Sequence, residues 1–113
     1  MTSSAEVWTL TEKAYKLLDD TDNFEFDVID IADELASLLL KKHKDYGPKN
    51  ISHSPGGALN GLRVRMHDKI ARINHLIDSG SSPENESLED SFKDLANYSI
   101  ISMMVLRGKW PQE

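Results

Sequence analysis

The chain has 113 residues and a formal net charge of −6, with 39% hydrophobic and 28% charged residues. This composition is ordinary for one folded globular domain. The excess of acids argues against binding along DNA or RNA, which needs many lysines and arginines. The absence of cysteine excludes disulfides, thiolate catalysis and a cysteine-based zinc site.

The opening residues, Met-Thr-Ser-Ser-Ala-Glu, contain neither the basic nor the apolar region of a secretion signal. The longest apolar runs, such as residues 38–40, are too short to cross a membrane. We therefore expect a cytoplasmic protein with no membrane partner and no extended nucleic-acid partner.

Apolar residues recur at helical spacing in four segments, and turn-forming residues separate them. The predicted helices cover residues 5–18, 27–46, 62–77 and 85 or 86–106. Gly47 and Pro48 should end the second helix, because glycine suits a left-handed C-terminal position and proline cannot continue a helix. Residues 48–60 are predicted to form an irregular loop, and loops of this length are often functional.

Four helices with short connections predict an all-α fold, an antiparallel bundle in a single domain. Residues 1–26 would supply an N-terminal helix and link, residues 27–106 the helical core, and residues 107–113 a tail. The tail carries Trp110, which should fold over the bundle or a partner subunit. The last predicted helix is apolar nearly all round in its second half, so we expect that half to be central or at a subunit contact.

Acidic side chains recur on one face of the fourth predicted helix. Glu86, Asp90, Asp94 and Asn97 follow at steps of four, four and three, while apolar residues occupy the other face. Magnesium takes oxygen ligands, usually one or two carboxylates with waters and substrate phosphates. The stripe therefore predicts a Mg²⁺ site at Glu86, Asp90 and Asp94; the alternative is a solvated acidic face.

A second acidic cluster lies on the second predicted helix, where Asp30, Asp33 and Glu34 share one face. If this helix packs beside the fourth, the two acidic stripes would face each other. Such an arrangement is costly without cations, so it also favours metal binding. The alternative is that Asp30 and Asp33 are first-turn acids, which favour a helix N-terminus.

The third predicted helix carries a basic row, in which Arg65, Lys69 and Arg72 follow at i, i+4 and i+7. These residues are candidates for contacts with the phosphates of a nucleotide whose metal lies on the fourth helix, since arginine donates to phosphate in a planar fork. The alternative is a set of surface ion pairs, each worth at most about 1 kcal/mol.

Residues 44–50 combine a cation, an aromatic ring and an amide at the end of the second predicted helix. Lys44 could meet a phosphate, Tyr46 could stack on a base and Asn50 could hydrogen-bond one. The alternative is a helix-stopping turn with a core tyrosine. With Asn97 of the acidic face, these residues complete the candidate nucleotide-binding set.

Three ordered blocks resemble the nucleotide-modification-associated domain family of phages and bacteria. They are Lys-Asp-Tyr-Gly with Asn50 at residues 44–50, Gly-Leu-Arg-Val-Arg with Asp-Lys-Ile-Ala-Arg-Ile at 61–73, and Glu-Ser with Asp90 and Asp-Leu-Ala-Asn-Tyr at 86–98. The resemblance extends over about residues 34–110. Proteins of this kind are similar to MazG-like all-α nucleoside triphosphate pyrophosphohydrolases, which bind magnesium through an ExxE pair and an ExxD pair. This chain offers Glu86 with Glu89, but no ExxE on the second helix.

The resemblance implies a role in phage or bacterial nucleotide metabolism, in the host cytoplasm if the protein is phage-encoded. The leading hypothesis is a Mg²⁺-dependent pyrophosphohydrolase in which Glu34 or Glu89 is the general base. A second hypothesis is a non-catalytic module that binds or sequesters nucleotides, including signalling nucleotides of host defence. A third is a structural bundle with solvated polar faces. The first two favour a homodimer or higher homo-oligomer.

Overall fold

The computed structural model describes residues 12 and 23–113 of the chain. These residues form an all-α structure with four helices and no strand. The helices are α1 (Asn23–Tyr46), α2 (Lys49–Ser52), α3 (Ala58–Ser79) and α4 (Leu88–Leu106). The helix predicted at residues 5–18 lies outside the described residues except for Glu12, which is helical. None of the helices in the described ranges is both long and apolar enough to span a membrane.

The chain forms two compact units, residues 1–40 and 41–113. Helix α1 therefore begins in the first unit and ends in the second. It begins four residues before the predicted start at residue 27 and ends at the predicted residue, Tyr46. Gly47 ends it with a positive φ of 68°, and its N–H donates to the carbonyl of His43 at 2.8 Å. The prediction that Gly47 and Pro48 stop this helix is confirmed.

Residues 48–60 were predicted as an irregular loop, and the structure shows a short helix, α2, within them. Its one apolar side chain, Ile51, is buried, which explains why four residues can hold a helical turn: burial stabilises what local propensity does not. Ser54 closes the segment after α2, because its hydroxyl donates to the carbonyl of Asn50 at 2.8 Å.

Helices α3 and α4 pack side by side in opposite directions. Lys69 on α3 contacts Asp94 on α4, and Arg72, three residues further along α3, contacts Ser91, three residues earlier on α4. A step forward along α3 is thus matched by an equal step back along α4, as expected for neighbouring helices that run antiparallel. This packing is consistent with the predicted bundle. The predicted homo-oligomer stays a prediction.

The boundaries of α3 and α4 follow from their caps. Gly80, with a φ of 66°, is the C-cap of α3, and its N–H donates to Leu76 at 3.1 Å. Ser87 is the N-cap of α4 in a reciprocal capping box with Asp90. The fourth helix therefore begins at Leu88 rather than at the predicted residue 85 or 86, so Glu86 lies just before it.

The apolar core of the described residues is small. Its buried side chains come from α2, α3, α4 and the C-terminal segment: Ile51, Leu62, Ile73, Leu76, Ile101 and Trp110. The burial of Trp110 confirms that the tail folds back onto the chain. The apolar second half of α4 buries Ile101 but leaves Met103 and Leu106 exposed, so one face of that half lies in the core and the opposite face reaches the surface.

Candidate functional site

Five charged side chains of the second unit join α1, α3, α4 and the connection between α3 and α4. We call them the charge cluster: Lys42, Lys69, Arg72, Glu86 and Asp94. The cluster contains three cations and two carboxylates, and it lies where α3 and α4 face each other. It brings Glu86 and Asp94 of the predicted acidic face together with Lys69 and Arg72 of the predicted basic row.

Lys69 is at the centre of the charge cluster. Its Nζ lies 3.0 Å from Oε1 and 3.2 Å from Oε2 of Glu86, and 2.8 Å from Oδ2 of Asp94. One ammonium group therefore joins two carboxylates that come from different segments. The side chain is only 20% exposed, so these interactions are stronger than those of a surface pair.

Arg72 holds the connection between the helices against α3. Its guanidinium donates to the backbone carbonyl of Glu86 and through Nε to Oγ of Ser91 at 3.1 Å. The same Nε lies 3.2 Å from Oε2 of Glu86. Residues 80–87 are otherwise exposed, and Glu86 alone among them is half-buried. Glu86 therefore anchors the connection, and Ser91, which is fully buried, fixes the plane of the guanidinium.

Lys42 adds a third cation from the last turns of α1. Its Nζ donates to Oδ1 of Asp94 at 2.9 Å, so Lys42 and Lys69 bind the two oxygens of one carboxylate. Lys42 is nearly half exposed while Asp94 is mostly buried. Lys42 was not among the predicted site residues. The contact joins residues 52 positions apart, and no local pattern encodes it.

The cluster shifts the pKa values of its two most buried groups. Burial alone would raise the pKa of Asp94, but the hydrogen bonds that Lys69 and Lys42 donate to its carboxylate outweigh burial and hold that pKa below its usual value. Burial would likewise lower the pKa of Lys69, but the hydrogen bonds and charges of Asp94 and Glu86 raise it. Both groups are therefore firmly ionised near neutral pH.

Asp90 was predicted beside Glu86 and Asp94 as a metal ligand, and the structure places it in the capping box. Its carboxylate accepts from the N–H of Ser87 at 3.2 Å, and its own N–H donates to the hydroxyl of Ser87 at 3.0 Å. These hydrogen bonds lower the pKa of Asp90. Glu86 reaches the cluster from outside the helix, so the predicted helical stripe does not explain how it meets Asp94.

The remaining nucleotide-binding candidates lie around the end of α1 and along α4. Arg65 donates through Nη2 to the backbone carbonyl of Asn50 at 2.9 Å, and its Nη1 is a buried atom without a hydrogen-bond partner. Tyr46 is 68% exposed rather than a core residue, and Lys44 is exposed as well. Asn97 is buried in α4. The structure thus brings Arg65 and Asn50 together.

The predicted general bases are Glu89 on α4 and Glu34 on α1. Glu89 is exposed and pairs with Lys93 at 3.3 Å, one turn along α4, while Glu34 belongs to the first unit. Within residues 12 and 23–113, no three histidine or acidic side chains lie close enough together to hold a metal ion. Glu86 and Asp94 are two carboxylates that approach one point, the Nζ of Lys69.

Two residues of the site were not among the candidates from sequence. Ser91 was missed because a serine in a helix carries no signal of its own; its full burial opposite Arg72 appears only when α3 and α4 pack. Lys42 was missed because its partner, Asp94, lies 52 positions away on another helix. The signal available for Ser91 was its position three residues before Asp94, where it shares the inward face of α4.

Comparison with known proteins identifies a family for this region of the chain. The family model described as nucleotide modification associated domain 1 matches residues 42–106, more than half of the chain. The matched region includes all five residues of the charge cluster and Ser91. No curated protein and no solved structure matches the chain significantly. The similarity to MazG-like enzymes stays a prediction. This chain belongs to the nucleotide modification associated domain 1 family.

Proposed function

We propose that this protein binds a nucleotide together with Mg²⁺ at the charge cluster. The observation that carries the proposal is that Glu86 and Asp94 share the single ammonium of Lys69, at 3.0 and 2.8 Å, inside the region that matches the family. Cations for phosphate and carboxylates for a metal ion thus occupy one place. The family description supplies the association with nucleotides.

The two carboxylates fit a magnesium ion that binds together with its nucleotide. Both approach Lys69 Nζ, from different segments, so a cation that took the place of the ammonium would have both carboxylates beside it. Magnesium is commonly bound by one or two carboxylates with waters and phosphate oxygens completing the shell. When bound, the ion would neutralise Glu86 and Asp94 and polarise the phosphate.

Lys69 and Arg72 are the groups that would bind the phosphates. In the free protein they are bound to carboxylates and to Ser91. Once a metal ion neutralises Glu86 and Asp94, the two cations can donate to phosphate oxygens instead. Arginine offers a planar fork and lysine a point charge for this purpose. Ser91 keeps Arg72 oriented because its hydroxyl is fixed within the helix pair.

Hydrolysis of a nucleoside triphosphate to a monophosphate and pyrophosphate is the second candidate function. The observation that favours it is the same carboxylate pair, since a metal ion held there would activate a phosphate for attack by water. Binding without turnover, as in sequestration, needs no base, and Glu89 is engaged with Lys93 on the exposed side of α4. Binding is therefore the function that the geometry supports best.

A thermal-shift panel of nucleoside mono-, di- and triphosphates, with Mg²⁺ and with chelator, tests the proposal. A ligand at 100 times its dissociation constant adds about 2.7 kcal/mol to the free energy of unfolding, which is easily measured. We expect a shift that requires Mg²⁺ and is lost in Lys69→Ala and Glu86→Gln. Pyrophosphate release in the same samples distinguishes turnover from binding.

Matched substitutions outside the cluster are the controls for this panel. Arg63→Ala removes an exposed arginine of α3, whose Nε donates to Oδ1 of Asn60 at 3.0 Å. Glu89→Gln neutralises an exposed carboxylate of α4. Both should keep the nucleotide shift. The proposal fails if no nucleotide stabilises the wild-type protein, or if the controls lose the shift as fully as Lys69→Ala does.

A further inference from the structure

The C-terminal segment returns to the turn that supports the basic row. After α4 the chain reverses at Gly108, which has a φ of 67°, while Lys109 N–H donates to Met104 at 2.8 Å. A glycine at such a helix end allows the left-handed conformation that a side chain disfavours. Trp110 follows at once and is 8% exposed. We call residues 107–113 the C-terminal strap.

Trp110 contacts both the end of α1 and the turn that leads to α2. Its indole Nε1–H donates to the carbonyl of Pro48 at 3.1 Å. Its ring meets the ring of His43 edge-on, with centroids 5.1 Å apart at 73°, a favourable geometry for an aromatic pair. Farther along the strap, the hydroxyl of Ser52 donates to the carbonyl of Gln112 at 3.3 Å. The strap therefore spans the whole turn.

Two residues that the strap contacts, His43 and Pro48, lie close in sequence to Lys42 and to the hydrogen-bond partner of Arg65. His43 follows Lys42, whose Nζ binds Asp94. Pro48 lies two residues before Asn50, whose carbonyl accepts from Arg65 at 2.9 Å. Ser54 adds a second donor to that carbonyl, at 2.8 Å. A displacement of the turn would therefore move Lys42 and Arg65 together.

From these contacts we infer that Trp110 is a positioning residue of the nucleotide site: it fixes the turn at residues 47–52 and, through that turn, Lys42 and Arg65. The inference rests on the proposed function for its effect on nucleotides. The strap lies outside residues 42–106, which match the family. Trp110 touches neither the carboxylates nor the cations of the charge cluster in any described contact.

The test compares Trp110→Phe and Trp110→Ala with the wild-type protein and with Lys109→Ala, a change at the exposed neighbour. Trp110→Phe keeps a ring beside His43 but removes the hydrogen bond to Pro48. The first readout is the dissociation constant for the nucleotide that binds best in the thermal-shift panel, with Mg²⁺. We expect about a fivefold to tenfold weakening in Trp110→Phe, the effect of one hydrogen bond, more in Trp110→Ala, and none in Lys109→Ala.

The second readout needs no nucleotide: the guanidinium N–H signals of Arg65 in an NMR spectrum of the free protein. A displaced turn releases the hydrogen bond to Asn50, so these signals should shift and exchange faster in both Trp110 variants. Unchanged affinity with unchanged Arg65 signals, in a variant that is merely less stable to urea, would overturn the inference. Should the wild-type protein bind no nucleotide, the proposed function fails, and the Arg65 signals alone decide whether Trp110 positions the turn.

Discussion

The helix pair of α3 and α4 has an apolar part and a charged part, and they are held together by different forces. Leu62 and Ile101 are buried at matching positions of the antiparallel register, near the start of α3 and the end of α4. Lys69 and Asp94 face each other two turns along. The first part gains free energy by removing apolar surface from water. In the charged part, the attraction between opposite charges must offset the free-energy cost of removing them from water.

Under the proposed function, the apolar part serves stability and the charged part serves ligand binding. A partly buried set of charges can often be replaced by apolar residues of similar size with little loss of stability, or with a gain. Stability alone therefore does not require Lys69, Arg72, Glu86 and Asp94 at this place. The proposed ligand, which carries both phosphate and a metal ion, would give these four residues a role other than stability.

The largest effect on stability is expected in the apolar part. Leu62→Ala leaves a cavity at a side chain that is 1% exposed, and should lower the free energy of unfolding by about 2–5 kcal/mol while the folded protein still binds nucleotide. Urea denaturation measures the loss. Val64→Ala, two residues on at an exposed position, is the control and should cost far less. Equal losses in the two variants would show that this part is not the stabilising core.

The charged part should show the opposite pattern. The double substitution Lys69→Met with Asp94→Leu removes one cation and one carboxylate together, so the stability should stay within about 1 kcal/mol of the wild type. Nucleotide affinity should fall about 100-fold, a loss of about 2.7 kcal/mol. Calorimetric titration beside urea denaturation gives both numbers. A variant that loses stability as Leu62→Ala does, yet binds normally, would reverse the roles of the two parts.

A smaller effect is expected where α4 begins, because the capping box also sets the position of Glu86. Ser87→Ala removes the side-chain acceptor for the N–H of Asp90 and should cost about 1 kcal/mol of stability. It should also weaken nucleotide binding modestly, since Glu86 is the adjacent residue. Thermal unfolding with and without nucleotide measures both effects. Ser82→Ala, in the exposed connection, should change neither.

The smallest expected effect is the pH dependence of stability. Asp94 has a lowered pKa, so its contribution is present above its unfolded pKa of about 4 and is lost as the pH falls through the lower, folded value. Lys69 has a raised pKa, so its contribution is present below about pH 10.4 and is lost as the pH rises through the folded value. Asp94→Asn should flatten the acid side of the stability curve. An acid side as steep as that of the wild type would assign the loss to other carboxylates.

The long helices were predictable because their signals are local. Apolar spacing predicted the long helices of the described region, and Gly47 with Pro48 predicted the end of α1. The start of α4 was missed although its signal was present: Ser87-x-x-Asp90 has the spacing of a capping box, with aspartate in place of the usual glutamate. Because Glu86 and Asp90 also fit one helical stripe, Asp90 was interpreted as a metal ligand rather than as a capping residue.

The site was predictable only in part, because its contacts depend on packing. The sequence placed Lys69 and Arg72 on one helix and Asp94 on another, and the structure brings them together. The sequence could not show that Lys42 contacts Asp94, 52 residues away, or that Ser91 is buried against Arg72. Both contacts depend on the register of α3 against α4 and on the course of the chain at the end of α1.

The most direct test of the account is a titration of isotope-labelled protein with a nucleoside triphosphate and Mg²⁺, followed by NMR. The account predicts the largest shifts at residues 69, 72, 86, 91 and 94, with saturation, and their disappearance when the metal ion is chelated. Shifts confined to other parts of the chain, or a spectrum that no nucleotide changes, would contradict it.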